Sequence, residues 1–217
     1  MRGLIIKDLC LMIQRGSLLF LYLFMAVIFS FTMDSTFTVS YLSMMGGFLA
    51  ISTLSYDAAD NGYPFLMTLP ISPKTYALEK HIFAGMIEGL FWIFAVVFQA
   101  LQALVQQDTQ QFFAELPGYA GFLLVFLILI SILLPVELKF GVEKSRIVLL
   151  VIVGIIMFAV FVGARILSPL TTLLNGLDLQ LSNLSEPVLA AGALLLAAVI
   201  LSVCVACSIH VMEHKEY

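Results

Sequence analysis

Six apolar segments, each about long enough to cross a bilayer, are joined by connections whose basic residues fall almost entirely on one side. The segments are residues 17–33, 37–55, 82–105, 119–136, 147–164 and 188–209, close to the ~20 residues a helix needs to cross a hydrocarbon core of roughly 30 Å. Six crossings put both termini on the same face. With that face cytoplasmic, Arg2, Lys7, Arg15, Lys74, Lys80, Lys139, Lys144, Arg146 and Lys215 lie inside and Arg165 alone lies outside, as the positive-inside bias requires. The opposite orientation would violate that bias almost everywhere. The first run follows a charged stretch and carries no small-residue cleavage site, so it reads as a true span and not a removable signal.

The expected fold is therefore an all-α polytopic membrane protein of the cell membrane, one membrane domain over residues 1–217. Apolar residues make up 62% of the chain and charged residues 11%, and the mean hydropathy is +1.09. A soluble domain with that composition could not cover its surface with polar groups. The charge pattern does not suggest nucleic acid. The connections are short, which leaves no room for a separate catalytic module.

Before the first span, residues 4–15 read as an amphipathic helix. Lys7, Asp8, Gln14 and Arg15 cluster opposite Ile5, Leu9, Met12 and Ile13, while Leu11 breaks the pattern. A helix of that kind lies in the membrane interface. The only large connection on the inner side covers residues 56–81. It mixes acids with aromatics (Asp57, Asp60, Tyr63, Pro64, Phe65) and continues into Pro70-Ile71-Ser72-Pro73-Lys74. Exposed aromatics suit a partner surface better than a solvated loop. Ser72 is placed to cap a helix starting at Pro73 and running through Lys80 into the third span.

Several phrases together resemble the small permeases of the type-two ABC exporter family: Leu4-Ile5-Ile6-Lys7-Asp8-Leu9, Thr68-Leu69-Pro70-Ile71-Ser72-Pro73-Lys74 with Tyr76 and Lys80, and Pro135 with Lys139-Phe140-Gly141-Val142-Glu143-Lys144. The resemblance covers nearly the whole chain. It implies two six-span permeases forming a pathway, here as a homodimer, driven by two copies of a cytoplasmic ABC ATPase. It further implies an amphipathic connecting helix at residues 4–15 and a coupling helix around residues 57–65, with Asp57, Asp60, Tyr63, Pro64 and Phe65 meeting the ATPase. Lys139, Glu143 and Lys144 are candidates for a second contact, or simply charges that set topology. No lysine is preceded by glycine, so a G-x-x-x-x-G-K-[ST] phosphate loop is absent. ATP and magnesium would thus bind the partner, and this chain is expected to be neither an enzyme nor a cofactor protein.

Within the spans, Gly85-x-x-x-Gly89 allows close helix approach. Glu88 lies roughly 10 Å into the third span, where an acid must pair with a base or face a hydrated inner vestibule. Gln99 and Gln102 extend a polar stripe along the same helix. His210-Val211-Met212-Glu213-His214 matches a zinc-hydrolase string, but His81 is the only other histidine, and a membrane-exit tail is the better reading. Cys204 and Cys207 fall inside a span and read as packing residues. By resemblance the cargo is an amphipathic peptide or another hydrophobic molecule, exported from the cell. The alternative is a non-transporting membrane adaptor or assembly factor.

Overall fold

The computed structural model describes residues 1–14, 16–58, 62–69, 71–166 and 186–214, and among these the chain is helical with no strand. The elements are α1 (Arg2–Gln14), α2 (Gly16–Thr32), α3 (Ser35–Ala58), α4 (Gly62–Thr68), α5 (Pro73–Gln106), α6 (Thr109–Ile166) and α7 (Glu186–Glu213). Each of the six apolar runs falls in a helix. Four helical stretches are long and apolar enough to span a membrane on their own: Ser35–Asp57, Pro73–Gln106, Thr109–Gly141 and Ala190–Glu213. A fifth span is reached if α1 and α2, bent by 70° to one another, are taken as one broken unit. The expected fifth run, 147–164, lies in the second half of α6, where most side chains fall outside the described residues.

Local chemistry sets the helix ends. Ser72 holds an extended backbone (φ −81°, ψ 149°), its hydroxyl accepts from the Thr75 amide, and Pro73 follows as the first helical residue. That proline sacrifices only an amide that would lack an intrahelical acceptor anyway. The cap expected from sequence is therefore formed. The connection between α5 and α6 is shorter than expected. Gln107 adopts a left-handed conformation (φ 59°) and its amide returns to the Ala103 carbonyl, so the polar stretch expected as a link over 106–118 is helical from Thr109. α6 contains Pro117 and Pro135 and breaks at Gly141, whose φ of 75° and ψ of 165° are non-helical. Only glycine takes such a backbone without strain.

α3 occupies the middle of the bundle, packed against α1, α2, α4, α5 and α6, while α7 rests on α5 and α6. One apolar core joins Leu54, Tyr63, Tyr76, Phe83, Leu134, Leu138 and Met212 at the end that carries α1 and α4. A second joins Ala26, Val39, Leu42, Ala95 and Tyr119 toward the other end. Many other large apolar side chains are exposed, as a lipid-facing surface requires.

Among the described residues, the tight glycine contacts between the long helices of this chain are at Gly46 and Gly47, not at Gly85 and Gly89. A Cβ at Gly85 or Gly89 would meet nothing within 4 Å, whereas one at Gly46 would lie 2.7 Å from Phe91 Cβ, and one at Gly47 would lie 1.8 Å from Ile130 Cδ1. Gly46-Gly47 is therefore the seam on which α5 and α6 close against α3, and Gly85-x-x-x-Gly89 stays open on the surface. Gly46→Ala should lose about 1–3 kcal/mol through overpacking, while Gly121→Ala, open in the same sense, should be neutral or gain up to ~1 kcal/mol. Denaturation of both purified variants in detergent measures the difference.

Candidate functional site

Four charges meet where α1, α3 and the start of α5 converge. Residues 53 and 57 stand one turn apart on α3, and residues 76 and 80 one turn apart on α5, so each pair shares a helix face. α1 brings Lys7 and Asp8 between them. Lys80 Nζ lies 2.5 Å from Asp8 Oδ2 and 2.8 Å from Asp57 Oδ2. Lys7 Nζ lies 2.5 Å from Asp57 Oδ1 and 3.1 Å from Asp8 Oδ1. The four form a closed ring of alternating sign with no net charge.

Neutral donors complete the ring. Tyr76 donates its hydroxyl to Asp57 Oδ2 at 2.8 Å, and Thr53 Oγ1 lies 3.4 Å from Lys80 Nζ and 3.5 Å from Asp8 Oδ2. Asp8 and Lys80 are fully buried, and Asp57 is 5% exposed. Charges removed from water to that degree are tolerated only when paired and hydrogen-bonded. Glu79 is buried beside Lys80 with neither carboxylate oxygen hydrogen-bonded among the described residues. A more exposed ion pair, Lys74 to Glu213 at 3.3 Å, ties the start of α5 to the end of α7.

α4 packs directly on this ring. A Cβ at Gly62 would come within 2.6 Å of the Asp57 carbonyl oxygen, so only glycine lets the start of α4 sit this close to the end of α3. Tyr63 and Leu66, three residues apart, face inward. The Tyr63 ring meets Tyr76 edge-on at 6.0 Å, the arrangement favoured by aromatic quadrupoles. Phe65 (67% exposed) on α4 and Leu69 (41% exposed), one residue past its end, face outward.

The residues expected to form one exposed aromatic and acidic joint are thus divided between two faces. Asp57 is held inside by Lys7 and Lys80, and Tyr63 belongs to the core, because an acid flanked by two lysines and a ring stacked on a second ring are better satisfied inward. Phe65 is exposed as expected. Asp60 and the side chain of Pro64 lie outside the described residues, as does the side chain of Glu143. Lys139 and Lys144 are exposed beside the Gly141 break, with Lys139 Nζ 5.4 Å from the Phe140 ring centre. Glu88 is fully buried, and its partner is the Ser43 hydroxyl at 3.4 Å, not a base. Gln99 and Gln102 join α5 to Ser30 of α2.

A family model described as ABC-2 family transporter protein matches residues 3–213. The chain belongs to the ABC-2 transporter family. Its ion ring, α4 and every expected span lie inside the matched residues. Membership makes it a multi-pass membrane protein and a transmembrane permease component of an ABC transporter, and it implies an ABC ATPase partner. No curated protein and no solved structure matches the chain.

Sequence reasoning missed the ring although its parts were in view. Tyr76-x-x-x-Lys80 and Thr53-x-x-x-Asp57 are one-turn pairs at the ends of apolar runs, where an isolated lysine or aspartate would be costly. The ring predicts strong coupling between its members. Lys80→Met or Asp8→Leu alone leaves a buried charge uncompensated and should lose about 3–5 kcal/mol. The double variant keeps Lys7 paired with Asp57 and should lose about 1–3 kcal/mol less than the sum of the single losses. Denaturation of the three variants beside the unaltered protein completes the cycle.

Proposed function

We propose that this ABC-2 permease is the membrane half of an ATP-driven exporter and that α4 is the helix through which a cytoplasmic ATPase moves it. The observation that carries this reading is the two-sidedness of α4: Phe65 outward, with exposed Leu69 just past the helix end, and Tyr63 and Leu66 inward beside the ion ring. Apolar anchors at the centre of an interface carry a disproportionate share of its energy. A push on Phe65 passes through Tyr63 and Tyr76 to Asp57, and from there to α1, α3 and α5 together.

In this reading residues 1–217 form one permease domain with six spans, and both termini are cytoplasmic. α5, at 34 residues or about 50 Å, is longer than the bilayer core, so its first turns project into the cytoplasm with the ring. α1 is the amphipathic connecting helix in the inner interface. Lys139 and Lys144 offer a second, electrostatic contact that acts more on association rate than on affinity. ATP and magnesium bind the partner, which is present in two copies. The open face of α5 around Gly85 and Gly89, bordered by exposed Ile82, Met86 and Ile93, is where a second permease copy packs to form a homodimer. An amphipathic peptide or another hydrophobic molecule is the cargo, since an apolar and Met-rich chain adapts to such groups better than to a sugar or an ion.

The test separates docking from folding. Phe65→Ala with Leu69→Ala should lose on the order of 2 kcal/mol or more of association with the ATPase while leaving permease stability within about 0.5 kcal/mol. Tyr63→Ala should instead lower permease stability by about 3–5 kcal/mol, as buried aromatic truncations do. Copurification of the ATPase, its hydrolysis rate with and without cargo, and denaturation of the permease are the three readouts. Unchanged copurification of the double variant would remove α4 as the joint, and hydrolysis indifferent to cargo would favour a non-transporting adaptor.

A further inference from the structure

At the other end of the bundle from the ion ring, α2, α3, α5 and α6 border an open pocket of about 250 Å³, with Asp108 and Gln111 exposed and Glu115 half-buried. Its lining is polar, with Ser35, Gln102, Asp108, Gln111, Glu115 and Tyr119 all contributing. Glu115 organises it. Gln111 donates to Glu115 Oε1 at 2.7 Å, Tyr119 donates its hydroxyl to Oε2 at 2.6 Å, and the Ser35 hydroxyl donates to the same oxygen. These donors are neutral, so they fix the carboxylate in place without cancelling its charge. A carboxylate offers about four acceptor positions, so three donors leave one for a ligand. Asp108 adds a second acid, and no Lys, Arg or His lines the cavity among the described residues.

The wall is built to keep its shape. Gln102 donates to the Ser30 carbonyl at 3.0 Å and accepts from the Ser30 hydroxyl at 2.5 Å, which pins α5 to α2. The volume is below the roughly 300–1,000 Å³ typical of a site for a drug-sized ligand, so the cavity takes a group and not a whole molecule. An anion would meet two carboxylates there, and a neutral hydroxyl compound would leave both charges unanswered. Exposed Phe31, Val105 and Phe113 neighbour the lining residues in sequence and offer an apolar surface for the remainder of a ligand.

We infer that this cavity binds a primary ammonium group carried on an apolar body, with Glu115 and Asp108 as counter-charges and the side-chain oxygens of Gln102 and Gln111 as further acceptors. The ammonium belongs either to a soluble amphipathic amine or to an ethanolamine lipid headgroup. Its recognition goes beyond the transport reading and stands or falls separately from it, because binding needs no ATPase.

The chain carries its own reporter. Its single tryptophan, Trp92, donates its ring N–H to the Tyr119 carbonyl at 2.8 Å. Trp92 emission is read in phosphatidylcholine nanodiscs during titration with octylammonium, octanol and octanoate. Octylammonium should give a saturable change at a midpoint at least about tenfold below those of the other two, the scale of one charge-assisted hydrogen bond. Glu115→Gln should raise the octylammonium midpoint about tenfold and leave octanol unaffected. Substituting phosphatidylethanolamine into the nanodisc should raise that midpoint if the lipid headgroup is the occupant and leave it unchanged if a soluble amine is. Octanol matching octylammonium in the unaltered protein, an absence of saturation with every probe, or a Glu115→Gln variant that binds octylammonium unchanged would overturn the site. The comparison among probes needs no variant to fold.

Discussion

Asp8, Asp57 and Lys80, buried at one end of a helical bundle, close with the partly exposed Lys7 into a neutral set around which α1, α3, α4 and α5 are packed. Asp8 and Lys80 are fully buried, so loss of α1 would leave Lys80 with Asp57 alone, and rotation of α5 would leave Lys7 to answer both aspartates. Desolvation makes such a ring poor evidence for net stability but strong evidence for a fixed register, since misaligned pairs leave buried charges unanswered. The ring therefore acts as a registration device. It determines where α1 lies, how α3 ends and which face of α4 is turned outward.

In the proposed coupling, that arrangement serves as a compact mechanical path. α4 has seven residues and would not be a stable helix alone in water. It is held by Gly62 against the Asp57 carbonyl, by Tyr63 on Tyr76 and by Leu66 in the core. Force applied to its outer face meets a rigid backing and not a flexible loop. Coupling between subunits needs such a unit with discrete arrangements, because energy passes only where both partners bias the same equilibrium.

The all-helical architecture was legible in the sequence because lipid imposes long apolar helices. The Ser72-Pro73 start of α5 was legible because capping is local chemistry. The Gly46-Gly47 seam was not, since a glycine's importance depends on which side chain the tertiary fold brings opposite it, here Phe91 and Ile130. The region of the candidate site was visible, but its polarity was not. Acids beside aromatics in a connection suggest an exposed surface, and Asp57 turns inward because Lys7 arrives from α1, fifty positions away, and Tyr76 and Lys80 from α5. Glu88 shows the same limit, for its Ser43 partner lies on another helix.

The claim on which the account rests is that the outer face of α4 is where the ATPase touches this chain. A photo-crosslinking residue placed at position 65, and separately at position 107 on the tight link between α5 and α6, tests it in native membranes without relying on loss of activity. The account predicts a covalent permease–ATPase adduct from position 65 and none from position 107. Equal adducts from the two positions, or none from position 65 while the ATPase still copurifies, would contradict it.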